Sequence, residues 1–202
     1  MNFGELSDLI LYYLHRTDMD DKIPGFVELA RSRLSKDCRF MGMQEYIEVP
    51  FTEESSPLPA DFLEVKSLTV PVSRGGYRPL QFHTNDNFGR VSHAVVSGAP
   101  QFFTLRAKSL VISPFNGSVD VPTVVSMNYF QRPEKLVNPE DTNSILEEYP
   151  ELYLHASLIY AHKAVQDHES EQVTHQQYGV ELRSAKESEI YGQSGSPTML
   201  GV

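Results

Sequence analysis

The stretch Thr123-Val124-Val125-Ser126-Met127-Asn128-Tyr129-Phe130 decides how the rest of the chain is read. Thr123, Val125, Met127 and Tyr129 fall on one side of an extended backbone, and Val124, Ser126, Asn128 and Phe130 on the other. The β-branched and aromatic content suits a half-buried strand. Ten of the 13 prolines lie between Pro50 and Pro139, on both sides of this stretch. Proline breaks helix interiors but suits turns and strand edges, so the middle of the chain reads as β and loop. Shorter strands are expected at Tyr46–Val49, Leu63–Val70, Phe102–Leu105 and Ser109–Ile112. Turn material separates them at Ser73-Arg74-Gly75-Gly76, Ser97-Gly98-Ala99-Pro100 and Phe115-Asn116-Gly117-Ser118. Short strands in succession imply antiparallel pairing. Thr84–Arg90 is expected as a short helix with Thr84 as its cap.

Outward from this segment both ends turn helical. Phe3, Leu6, Leu9/Ile10 and Tyr13/Leu14 recur at three-to-four spacing, one apolar stripe closing near Arg16. Asp18, Asp20 and Asp21 precede Ile23-Pro24 and read as a capping cluster with proline in the first turn; the glycine and glutamate of an EF-hand loop are missing at their required places. Phe26, Val27, Ala30, Leu34 and Cys38 give the second helix its buried face. Beyond Pro139, Asn143 or Ser144 caps a helical turn and Pro150 opens a helix striped by Leu154, Leu158, Ala161 and Val165. A break is expected at Glu169/Ser170, then a last helix carrying Val173, Val180 or Tyr178, Leu182 and Ala185. From Gln193 the residues Gly195, Ser196 and Pro197 oppose a helix, and a flexible tail is expected. The fold class is therefore α+β. A helical bundle forms from 1–44 and 143–192, a β-rich segment is inserted at 45–142, and a flexible C-terminal tail occupies 193–202.

Composition narrows function. Seventeen Lys+Arg against 27 Asp+Glu give a net charge of −10, which disfavours broad phosphate-backbone binding. The charge is uneven: −1 over 1–44, −3 over 45–142 and −6 over 143–202. No stretch has the length of a bilayer span, and the first residues lack a signal-peptide profile, so no membrane partner is expected. A single cysteine, Cys38, excludes an internal disulfide and reads as a small core residue.

The search for chemistry returns little. There is no phosphate loop, and Gly75-Gly76 suits a tight turn. Gly192-Gln193-Ser194-Gly195 approaches a nucleophile elbow but lacks its second glycine and follows no strand. His155 and His162 share a helix face yet lie ~10 Å apart along its axis, too far for one metal ion; they are expected to be exposed or at an interface. Glu53-Glu54 and Glu147-Glu148 read as solvated charge. The Asn-x-Ser at Asn116 lacks the secretory route that glycosylation needs. No catalytic, cofactor or metal residue is assigned, and no enzymatic activity is expected.

Four motifs in order carry a resemblance. They are Leu58-Pro59-Ala60-Asp61-Phe62, Gly98-Ala99-Pro100-Gln101-Phe102-Phe103, Met127-Asn128-Tyr129-Phe130 and Tyr149-Pro150-Glu151-Leu152-Tyr153-Leu154. Together with the terminal helices, over about 3–190, they resemble the head-to-tail adaptor (connector) proteins of short-tailed bacteriophages, the tail tubular protein class. Tyr77–Ser97 departs from that pattern in being longer and more polar. The resemblance implies a structural virion protein assembled in the host cytoplasm. Copies would form a homo-oligomeric ring, usually a dodecamer, between the portal protein and the tail nozzle. The docking tail would be Ser194, Gly195, Ser196, Pro197, Thr198, Met199, Leu200, Gly201 and Val202. Twelve such chains would carry −120, a lumen that lets DNA slide without sticking. Ala156, Ser157, Ala161 and Ala164 admit close approach either of neighbouring subunits or of helices within the chain. A tail-completion or head-stopper protein is the structural alternative; a cell-wall-degrading hydrolase with a carboxylate pair is the enzymatic one.

Overall fold

The computed structural model of the chain describes residues 1–16, 18–71, 75–94, 97–118 and 121–194. Helices at both ends and a mostly antiparallel β segment between them make an α+β fold. The chain forms two units: Met1–Met43 together with the chain from Arg132 onward, and Gln44–Gln131.

In the β unit, strand β8 (Thr123–Gln131) takes the central place that its alternation suits. It pairs antiparallel with β1 (Gln44–Phe51) on one side and with β3 (Phe62–Pro71) on the other, and β4 (Tyr77–Pro79) completes that sheet. A second sheet has the order β2 (Ser55–Pro57), β7 (Ser109–Ser113), β6 (Phe102–Arg106), β5 (Gln81–Phe82). The inward residues of both sheets share one core. It holds Val125, Met127 and Tyr129 of β8 with Phe51, Leu68, Val70, Phe103, Leu110 and Ile112. The expectation of antiparallel pairing fails at one place, where β5 runs parallel to β6. Helix α3 (Asn85–Ala94) lies between them and supplies the crossover that a parallel pair requires. The polar stretch Tyr77–Ser97 thus contributes β4, β5 and α3.

In the helical unit, Asn2 and Glu5 form a reciprocal capping box on α1 (Phe3–Leu14), with bonds of 2.9 and 3.0 Å. Phe3, Leu6, Ile10 and Leu14 are buried, while Leu9 and Tyr13 are exposed. Helix α2 (Ile23–Asp37) buries Phe26, Val27, Ala30 and Leu34, and Cys38 follows, buried. The aspartates before it do not cap it. Asp20–Lys22 form a 3-10 turn that runs straight into the helix, and Asp18 pairs with Arg16. A helix continued backwards in this way already has partners for its first amides, leaving the carboxylates no vacancy.

Helix α4 (Ser144–Glu148) is capped by Asn143, and α5 (Pro150–Ala164) has proline in its first turn. Helix α5 packs against α1, α2, α4 and α6 (His168–Ser194) and is buried on most sides, not along one stripe. Ala156, Ser157 and Ala161 are fully buried inside the chain, so their small size serves packing between these helices. The break before α6 falls at Val165–Asp167 instead of Glu169/Ser170. Gln166 takes a left-handed φ of 60°, and Asp167 accepts the Ser170 amide at 3.1 Å as a cap. Val173, expected inside, is exposed; of the alternatives Val180 and Tyr178, Val180 is exposed and Tyr178 is buried, and Ala185 is buried as expected. Up to Ile190 the buried positions of α6 are Thr174, Tyr178, Ala185 and Glu189, with Thr174 taking the place expected for Val173, one residue round the helix. The helix also continues through Gln193 and Ser194. One glycine, Gly192, costs only ~1 kcal/mol relative to alanine, which a 27-residue helix tolerates. Residues Gly195–Val202 of the expected tail lie outside the described residues. Residues 132–142 belong with the helices: the Phe3 and Gly4 amides bond to the carbonyls of Asp141 and Pro139 at 2.9 and 2.8 Å.

Candidate docking site

The expected site is a tail that follows helix α6. Helix α6 carries the chain to Ser194, and Glu189 lies five residues before that end. Its side chain faces inward and is 8% exposed. A carboxylate placed there is costly unless its oxygens are bonded. Both are: Oε2 accepts the Met41 amide at 2.8 Å and Oε1 accepts the Tyr149 hydroxyl at 3.0 Å. Tyr149 is itself held by the Phe40 ring, with centroids 4.6 Å apart. Burial first, and then the bond to Glu189, push the Tyr149 phenol up to about 12. It therefore stays a donor at any physiological pH.

Further along the same helix, Tyr178 donates to Asp37 at 2.7 Å and lies under the Arg33 guanidinium, 4.4 Å from the ring centroid. Burial, then the Asp37 bond, raise the Tyr178 phenol far above its usual value. Two tyrosine–carboxylate bonds thus fasten α6 to the rest of the unit, one near its middle and one near its end.

Between α5 and α6 opens a cleft of about 300 Å³ lined by Glu148, Glu151 and Glu181 among others. Partial burial and the neighbouring Glu189 and Glu147 raise the Glu148 carboxyl above the ordinary range. That is the perturbed acid a glycosidase uses. The neighbouring Glu189 spends one acceptor site of each oxygen on the Met41 amide and the Tyr149 hydroxyl. The β unit holds a larger recess of about 600 Å³, walled mainly by Leu63, Val65, Leu80, Phe82, Phe103 and Leu105. Its aliphatic and aromatic walls carry no acid–base pair beyond rim charges.

His162 is buried, not exposed, at 8%, and His155 is half-buried; the Nδ1 of each is enclosed without a hydrogen-bond partner. The burial of His162 follows from the central position of α5. Burial lowers both imidazoles below the usual value, against the pull of Asp167 and Glu171 on His162 and of Glu181 and Glu151 on His155. Among the described residues no group of three or more His, Cys, Asp or Glu is placed to hold a metal ion. No helix among them is long and apolar enough to cross a membrane. Cys38 is fully buried, and burial pushes its thiol up to about 12.

The resemblance motifs prove to be joints of the fold. Asp61 accepts the Tyr129 hydroxyl at 3.2 Å, and Phe62 stacks on the Tyr129 ring at 5.8 Å, linking the first motif to the aromatic strand. Gly98 has a φ of 109°, and the next two carbonyls, of Ala99 and Pro100, both accept from Arg78. Tyr153, in the last motif, is fully buried. Sequence reasoning missed Glu189 because a lone glutamate in an acidic helix reads as solvated. The available signal was its place in the buried Thr174–Tyr178–Ala185 register.

The chain is thus a two-unit α+β architecture with a β insertion between terminal helices. A family model described as SU10 adaptor protein matches residues 1–197, and the chain belongs to that family of phage head–tail adaptors. The protein is a virion component with a structural role. A search of curated proteins finds no match.

Proposed function

We propose that this adaptor assembles as a homo-oligomeric ring, a dodecamer in the virion, between the portal protein and the tail nozzle, after synthesis in the host cytoplasm. Ser194–Val202 is the segment that docks on the portal. The observation that supports this reading is the contrast at the end of α6. The helix is pinned to its unit at Glu189, whereas the thirteen residues after it, Ile190–Val202, carry no charged side chain and offer Met199, Leu200 and Val202 as anchors. So short a segment gains order only against a partner. A tail worth ~4 kcal/mol alone binds at millimolar strength, and a ring presenting many copies together converts that into a lasting attachment. The net charge of −10 per chain suits a channel through which DNA passes without specific binding.

Deletion of Ser194–Val202 tests the reading. The truncated protein is expected to fold and remain soluble, yet fail to load onto purified portal rings in negative-stain images and in co-sedimentation. Loading equal to that of the full chain removes the docking role from the tail.

A further inference from the structure

We infer that Glu189 is a positioning residue: its buried carboxylate fixes the place and direction in which the tail leaves the helical unit. This rests on the proposal that the tail docks, and adds what the docking depends on. Helix ends ordinarily fray over their last turn. Here the carboxylate bridges from α6 to the Met41 amide, 148 residues away in sequence, and to the Tyr149 hydroxyl at the start of α5. From Glu189 to Ser194 is ~7.5 Å of helix, little more than one turn. The bridge therefore stands where it can stop the fraying that an unbraced terminus shows. A buried carboxylate also cannot drift out at little cost, because leaving would orphan a main-chain donor and a phenol. With the root ordered before the partner arrives, docking has to order only the tail. Without the bridge it must order the last helical turn as well.

The test uses the full chain. Ser194→Cys provides a unique labelling position, since Cys38 is fully buried with its thiol pushed up to about 12. A nitroxide at position 194 is expected to be motionally restricted. Glu189→Ala should release it to a mobile spectrum while the helical circular dichroism is retained. Glu189→Gln keeps an acceptor for Met41 and a donor for the Tyr149 oxygen, so it should stay restricted. Loading of Glu189→Ala onto portal rings should fall about tenfold or more, since several additional residues must be ordered, and Glu189→Gln should restore it. Should Glu189→Ala not fold, Tyr149→Phe removes one of the two donors and is expected to give intermediate mobility. Unchanged mobility in Glu189→Ala or Tyr149→Phe, or a Glu189→Gln label as mobile as that of Glu189→Ala, overturns the inference. Raised mobility with undiminished loading overturns it too. The tail deletion separates the two ideas: if the deletion loads normally, the docking proposal fails while the label still reports on the bridge.

Discussion

Together with His155, His162 lowers the stability of the helical unit toward acid. Its imidazole is held neutral by burial, with its Nδ1 enclosed and unpartnered. A base whose folded pKa is depressed binds more protons in the unfolded chain. Stability is therefore full above the ordinary imidazole value of about 6.5 and declines as pH falls through it toward the folded value. Asp167 and Glu171 lessen the effect without reversing it. Between pH ~7 and ~5, above the carboxylate range, thermal melts should show the loss, and His162→Gln should flatten much of it. An equal slope in the variant assigns the acid sensitivity elsewhere. Asn143 is a second such residue. It is buried, its oxygen takes the Leu146 amide at 3.1 Å, and its nitrogen donates to the Glu134 carbonyl at 3.1 Å. Asn143→Ala loses a cap, about 1 kcal/mol, and leaves a partly buried carbonyl without its donor, about 1–3 kcal/mol. Urea denaturation should show a loss of about 2–4 kcal/mol, with Asn143→Asp intermediate because it keeps the cap alone.

At the scale of elements, what could be read in advance followed period and proline. The alternation of Thr123–Phe130 placed the central strand, and the three-to-four spacing of Phe3 to Leu14 placed the first helix. Leu9 and Tyr13 were offered as equal alternatives to Ile10 and Leu14, and only packing chose between them. Val173 misled because hydrophobicity ranks it above Thr174, and between Val180 and Tyr178 only packing chose. Thr174 satisfies its hydroxyl on the Ser170 carbonyl of its own helix, and Glu189 finds its partners on the neighbouring segments at Met41 and Tyr149. His162 looked exposed for a related reason: a helix surrounded on most sides has no polar face on which to put it. The proposed docking segment was legible only as an uncharged C-terminal stretch. Its root was not, because the Glu189 bridge joins residues far apart in sequence, and no local pattern records that. One element-level consequence concerns Cys38. A thiol-directed reagent such as a maleimide should leave the native chain unmodified and react once per chain in denaturant; fast native labelling would mean that the end of α2 opens.

For the molecule as a whole, the register at the mouth of the β unit matters. Gln44 pairs with Phe130, so the chain enters and leaves this unit at directly opposed positions, Cα atoms only ~5 Å apart. Replacement of Gln44–Gln131 by a few Gly/Ser residues should therefore close the helical unit without strain. We expect the excised protein to keep its helical circular dichroism and a cooperative melt. An aggregated or molten product would mean that the helices cannot stand without the insertion. The register also moves the boundary from Thr142, where proline density changes, to Gln131, where strand pairing stops. Proline marks turns, and the turns of 132–142 serve the helices.

The discontinuity of the helical unit carries a consequence for synthesis. Helices α1 and α2 leave the ribosome first, yet α5, which covers their apolar stripes, follows only after the whole β unit. At ~5–20 residues per second, translation separates the two halves by several seconds. During that interval the β unit, whose strands are contiguous in the chain, can fold while Phe3, Leu6, Ile10, Phe26 and Leu34 wait uncovered. The nascent chain thus presents its greasiest surface to the cell early, for a time fixed by the length of its own insertion, and slow codons within that insertion would lengthen the exposure.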